Sequence, residues 1–133
     1  MSNVLEERRK FKRIEENHKV ISSRYPSTGE TSNDAIKDFC AGGAFINSKI
    51  RYEIGELIKL AIQIEGLRKY VPGFNYATTL TRSDPVVVLA KVVRSDIIRS
   101  GYTYGIGVSF VSIADRDKMA IDKYIKEKTK DNQ

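Results

Sequence analysis

The chain is poor in the residues from which most covalent and metal chemistry is built. It holds one cysteine, Cys40, and one histidine, His18. A lone cysteine cannot close an internal disulfide, so a disulfide-stapled miniprotein is excluded and a reducing, cytoplasmic setting is expected. A metal centre draws on several histidines or cysteines at set spacings, and the sequence offers no such set. A thiol–imidazole pair would need His18 and Cys40 to meet, which nothing in the sequence requires. Beside its two glycines, Cys40 reads better as a small packed residue. No apolar run approaches the roughly 18 residues of a membrane helix; the longest is Val86-Val87-Val88-Leu89-Ala90. The N-terminus is charged from Glu6 onward and has no apolar stretch, so neither a signal peptide nor membrane insertion is expected. No glycine-lysine loop of the phosphate-cradling kind occurs. Gly105-Ile106-Gly107 falls inside an alternating segment, where glycines mark a bend or close packing. No pair of carboxylates is marked as catalytic, and the protein is not expected to be an enzyme.

What is present suits one soluble domain. The 133 residues are 41% hydrophobic and 30% charged, enough for one core under an ordinary surface. The formal charge of +6 favours anionic partners. One basic cluster is dense, Arg8-Arg9-Lys10-Phe11-Lys12-Arg13. The other, Lys123, Lys126, Lys128 and Lys130, is diluted by Asp122, Glu127 and Asp131 and reads as a solvated helix face.

From Lys19 onward the pattern is mostly β. Val20-Ile21-Ser22 opens a strand, and Ser27-Thr28-Gly29 is a turn cluster. Ala35 to Asp38 runs as a strand into Cys40-Ala41-Gly42-Gly43, and Ala44-Phe45-Ile46 resumes it. Glu56 to Ile64 alternates, Leu67 to Asn75 carries Pro72-Gly73 as a loop, and Ser83-Asp84-Pro85 joins Tyr76–Arg82 to Val86–Arg94 as a hairpin. Tyr102 to Phe110 is a further strand. Short strands at regular spacing predict a small barrel or sandwich. The period then changes: Ala120, Ile121, Tyr124 and Ile125 share one helical face. Ser112-Ile113-Ala114-Asp115 predicts a capping box, with Asp115 and Asp117 at the positive end of the helix dipole. The helix is expected to cover an open barrel end or a partner's surface.

Two features stand above this background. Arg9 and Arg13 lie four apart on the segment before the first strand, and Asp38-Phe39-Cys40-Ala41-Gly42-Gly43 places Asp38 and Gly43 around a tight turn. Arginine carries a planar fork of donors that grips phosphate oxygens or the O6/N7 edge of guanine, and it stacks on bases. An aspartate accepts from the N1–H and N2–H donors of guanine. Gly43 would allow the turn and a close backbone approach.

In this order the two features resemble the PilZ family of cyclic-di-GMP receptors, whose pattern is RxxxR in an N-terminal arm and (D/N)xSxxG at a turn. Glu7 to Ile14 matches the first, with Arg9 and Arg13 at the arginine positions; Asp38 and Gly43 match the outer positions of the second. Glu53 to Ile58, Lys91 to Arg94, Tyr104 to Phe110 and the helix ending in Tyr124-Ile125 resemble the family's later elements, so the likeness runs from Glu6 to about Ile125. It implies a mainly β fold: a six- to seven-stranded antiparallel barrel with a flexible basic arm (1–16), barrel (17–111), C-terminal α-helix (112–128) and tail (129–133). It also implies a receptor that binds cyclic-di-GMP without turning it over. The arm would be mobile without ligand and ordered over it, while Asp38 holds a guanine from the barrel side. The ligand set it implies is Arg9, Arg13, Asp38, Cys40 and Gly43, with Arg8 as a candidate further phosphate contact. No cofactor is implied beyond the ligand, and the signal would pass to an unnamed protein partner.

Cys40 stands where the family has serine. A thiol hydrogen-bonds more weakly than a hydroxyl, and losing one such contact costs about 1 kcal/mol, a several-fold drop in affinity. That departure sustains an alternative, a PilZ-type protein-interaction module that does not bind the dinucleotide. A third reading, a non-specific binder of nucleic-acid polymers, draws on the charge and seven tyrosines but ranks below both, because the tyrosines form no RNA-binding motif. Phe39 and Phe45 are read as core rather than base-stacking, and Lys91 and Arg94, candidate groove residues on a strand, are read as plain strand surface.

Overall fold

The computed structural model describes residues 16–70, 85–99 and 102–130. Six antiparallel strands close into a barrel: β1 (His18–Arg24), β2 (Thr31–Cys40), β3 (Gly43–Ser48), β4 (Leu57–Gln63), β5 (Val86–Arg99) and β6 (Thr103–Ser112). Their order around the barrel is β1-β2-β3-β6-β5-β4, and β1 pairing with β4 closes the ring. Closure removes the exposed strand edges that an open sheet of this length would leave. One helix, α1 (Asp115–Lys130), follows β6.

Alternation builds the interior. Val20 on β1, Ile46 on β3, Ile58, Leu60 and Ile62 on β4, and Val86, Val88, Ala90 and Val92 on β5 all point inward and are buried. In β2 the alternation slips once. Ile36 pairs with Ile46 but Asp38 pairs with Phe45, so Lys37 is an extra residue in a β-bulge. Ile36 and Phe39 are both fully buried, and the bulge lets Lys37 and Asp38 face outward together between them. A regular strand would have sent one of those charged residues into the core.

The ends of the barrel are closed differently. At one end Ala120, Ile121, Tyr124 and Ile125 of α1 are buried, as their spacing predicts, and the helix covers the barrel mouth together with a 3-10 turn at Leu67–Tyr70. The Tyr124 ring lies 6.3 Å from Phe39, 6.3 Å from His18 and 6.1 Å from Tyr70. At the other, Tyr52 is fully buried and donates to Ser22 Oγ at 2.8 Å. The Ser22 and Ser32 hydroxyls both donate to the buried Asp34 carboxylate. Burial pushes the Tyr52 phenol up to about 12, so it remains a donor at any physiological pH.

Two expectations need correcting. Ser112 is the last residue of β6 and α1 begins at Asp115, with Ala114 C=O accepting from Asp117 and Lys118 N–H. The strand's pairing through Ser112 with Leu89 takes the residue that a capping box would use. Phe45 is not a core residue: β3 sends Ala44 and Ile46 inward and leaves Phe45 half-buried on the outer face. The first residues of the expected 67–75 loop form the 3-10 turn. The expected strand 76–82 and most of its hairpin connection lie outside the described residues, as does the arm as far as residue 15.

Candidate functional site

The turn between β2 and β3 carries the second motif. Ala41 and Gly42 form a two-residue loop between the paired residues Cys40 and Gly43. Cys40 is buried, and its Sγ accepts from Gly42 N–H at 3.4 Å, so the thiol braces the loop by an i-to-i+2 bond. From the other side Phe110 N–H donates to Gly42 C=O at 2.9 Å, tying the loop to β6. Gly43 is needed here for space and not for backbone conformation: its φ is not left-handed, but a Cβ would run into the Val108 carbonyl oxygen.

Asp38 is presented by the bulge just before this loop, half-buried on the outer face. With Glu16, Asn17 and Lys37 it lines a depression of about 370 Å³. Glu16 and Asn17 are the residues at which the chain arrives from the arginine-rich segment. The structure thus brings Asp38, Cys40 and Gly43 together around one loop. Arg8, Arg9 and Arg13 lie outside the described residues.

Glu16 is well anchored. It accepts from His18 Nε2 at 2.9 Å and from the Tyr124 hydroxyl at 2.7 Å. Burial works to raise its pKa, but those two bonds and the charges of His18 and Lys128 outweigh it and hold the carboxyl below its ordinary value. Burial, and next the Glu16 carboxylate it faces, push the Tyr124 phenol up, which keeps it a donor. The arm's exit point is thereby fastened to both β1 and α1.

A larger cavity of about 530 Å³ runs over β1, β2 and β4, lined by Lys19, Ile21, Asn33, Ala61 and Gln63 among others. Among the described residues, none of the motif positions lines it. Among the described residues no group of three or more His, Cys, Asp or Glu could hold a metal ion, and no helix is long and apolar enough to cross a membrane.

The sequence model of the PilZ domain matches residues 7–127, spanning both motifs and the barrel. The chain belongs to the PilZ domain family. Solved PilZ structures share its fold. The PilZ domain of YcgR from Escherichia coli with c-di-GMP superposes with a TM-score of 0.61 at 10% identity, over 94% of this chain and 96% of that one. The Bacillus subtilis inhibitor of motility (MotI/DgrA) gives 0.71 at 16% identity, over 95% of this chain and 53% of that one. The Borreliella burgdorferi PlzA protein in complex with c-di-GMP gives 0.53 at 11% identity, over 99% and 58%. The chain therefore spans about half the length of the motility inhibitor and nearly all of the YcgR domain. Identities this low speak for the fold alone. A search of curated proteins finds no significant match.

Within this PilZ domain the sequence reading missed the surroundings of Asp38. Phe45 and Arg94 face the same side as Asp38, and the Arg94 guanidinium carbon lies 5.6 Å from the Phe45 ring centroid. Phe45 stands in the apolar run Ala44-Phe45-Ile46, and only the structure shows that its neighbours face inward and it does not. The signal for Arg94 existed only in the pairing of β5 with β6.

Proposed function

We propose that this PilZ domain is a receptor for cyclic-di-GMP that binds the dinucleotide without chemical change and relays its presence to a protein partner. The observation that carries the reading is the place of Asp38. A bulge turns its carboxylate outward at the rim of a depression whose other wall, Glu16 and Asn17, continues directly from the RxxxR segment. Three peptide steps lead from Arg13 to Glu16 and seven from Arg9, reaches of at most about 11 and 25 Å. Both arginines can therefore serve a ligand resting on Asp38. The carboxylate supplies the acceptor for the N1–H and N2–H of a guanine, the arginines supply forked donors for phosphates, and Gly43 keeps the loop close against β6. The c-di-GMP complexes of YcgR and PlzA, which share this fold, support the same ligand. Ordering of the arm over the dinucleotide is the switch, with charge-assisted bonds offsetting the entropy of fixing it.

The test is a calorimetric titration with cyclic-di-GMP, with GTP as control and Arg9→Ala/Arg13→Ala as the negative. Saturable binding at micromolar concentration or tighter, lost in the double variant, is the expected result. A flat trace from folded wild-type protein rejects the receptor. Cys40 at the serine position favours one second reading, an interaction module independent of the dinucleotide. That reading predicts partner capture unchanged by ligand and by the double variant.

A further inference from the structure

Strand register places four residues in one line across the outer face of the barrel. Asp38 on β2 is opposite Phe45 on β3, Phe45 is opposite Gly107 on β6, and Gly107 is opposite Arg94 on β5. Residues directly opposed in antiparallel strands point to the same side, so the line is a physical row and not only a topological one. Its centre is bare. A Cβ at Gly105 would lie 2.6 Å from Phe45 Cζ and 3.2 Å from Ile98 Cδ1, and one at Gly107 would lie 3.1 Å from Arg94 Cβ. The two glycines thus form a floor on which the Phe45 ring can lie.

Arg94 is layered on that ring. Its guanidinium carbon lies 5.6 Å from the Phe45 centroid and its Nε donates to Asp96 at 2.6 Å. An arginine on an open strand face would ordinarily sample many rotamers. Here an aromatic ring beside it and a carboxylate on its flank narrow that choice and leave a flat cation facing outward. Two residues from Phe45, on the same face, Asn47 has a buried Oδ1 with no hydrogen-bond partner among the described residues. A buried acceptor without a donor is costly, and a turn of the Asn47 side chain toward this face would offer it to a ligand N–H.

We infer that the ligand surface extends from Asp38 across β3 and β6 to Arg94, and that the second guanine of the dinucleotide stacks on the guanidinium of Arg94 with Phe45 as its positioning residue. The inference rests on the cyclic-di-GMP reading above. Three strand spacings, roughly 14 Å, separate the backbones of β2 and β5. A mononucleotide held by Asp38 covers one end of that row, and a ligand carrying two bases is needed to use both. This is the feature that would set a dinucleotide apart from GTP at this surface.

The experiment is calorimetry with cyclic-di-GMP on wild type, Arg94→Ala, Arg94→Lys and Phe45→Leu, each checked for folding by circular dichroism. Arg94 is well exposed, so its variants fold as wild type does. Arg94→Ala and Phe45→Leu are expected to weaken binding roughly five- to tenfold, in keeping with the loss of one stacked base. Arg94→Lys should not restore it, since lysine keeps the charge and loses the plane. The chain contains no tryptophan, so Phe45→Trp adds a single reporter beneath Arg94, and its emission should change saturably with ligand. Wild-type affinity in Arg94→Ala, full rescue by lysine, or indole emission indifferent to a ligand that calorimetry shows bound would each overturn the inference while leaving the receptor standing. A wild type that does not bind removes both.

Discussion

At Gly43 the backbones of β3 and β6 come so close that a methyl group would meet the Val108 carbonyl oxygen. Neither neighbour is a side-chain tip that can swing away, so the strands themselves must part. Gly43→Ala is therefore expected to cost about 2–3 kcal/mol, read as a lower urea midpoint, on the scale of an overpacked interior. Cys40 presents the opposite case, a residue whose replacement should help. Its Sγ already braces Gly42 N–H at 3.4 Å, and a hydroxyl makes a shorter, stronger bond there. Cys40→Ser is expected to leave stability within about 1 kcal/mol and to raise affinity for cyclic-di-GMP several-fold by calorimetry. Unchanged affinity would confine residue 40 to bracing the loop. At this scale Asp38, Cys40 and Gly43 could be picked out from the sequence because each belongs to one local motif. Phe45 could not, because an apolar residue in an apolar run reads as core. Only the glycine floor of β6, distant in sequence, gives its ring somewhere to lie outside the barrel.

Among the elements, α1 is bound to the barrel by a polar clasp as well as by its apolar face. Tyr124 reaches Glu16, which also holds His18. Because the Glu16 carboxyl is held below its ordinary value, its contribution to stability is complete above the unfolded glutamate pKa of about 4.3 and is lost as pH falls through the lower folded value. Glu16→Gln should accordingly flatten the stability–pH curve below about pH 4, measured by urea unfolding across that range. Tyr124→Phe removes one donor to a charged acceptor, worth about 1.5 kcal/mol. It should lower Tm by roughly 5 °C and raise the Glu16 pKa measured by nuclear magnetic resonance. The buried face of the helix followed from its period, since a stripe of apolar residues has one way to be dry. Its first residue did not. Ser112 can cap a helix or end a strand, and the pairing partner on β5 decides between them.

On the scale of the whole molecule, one ligand would join the arginine-rich segment to the barrel. A ligand that binds only the folded state stabilises it by mass action, about 2.7 kcal/mol at one hundred times Kd. Cyclic-di-GMP at that excess is therefore expected to raise Tm by roughly 10 °C in a thermal scan, and Arg9→Ala/Arg13→Ala should abolish the shift. An equal shift in that double variant would place the binding site elsewhere.

The mainly β class, the C-terminal helix with its buried stripe, and the two motifs were all contained in the order of residues, whereas closure into a barrel and not a sandwich was not. Each depends on periodicity or on chemistry within a dozen neighbouring positions, which folding does not alter. The strand order β1-β2-β3-β6-β5-β4, the bulge at Lys37 that turns Asp38 outward, and the row joining Asp38 to Arg94 came only with the tertiary structure. These are set by register between strands far apart in the chain, where one extra residue decides which face a side chain occupies.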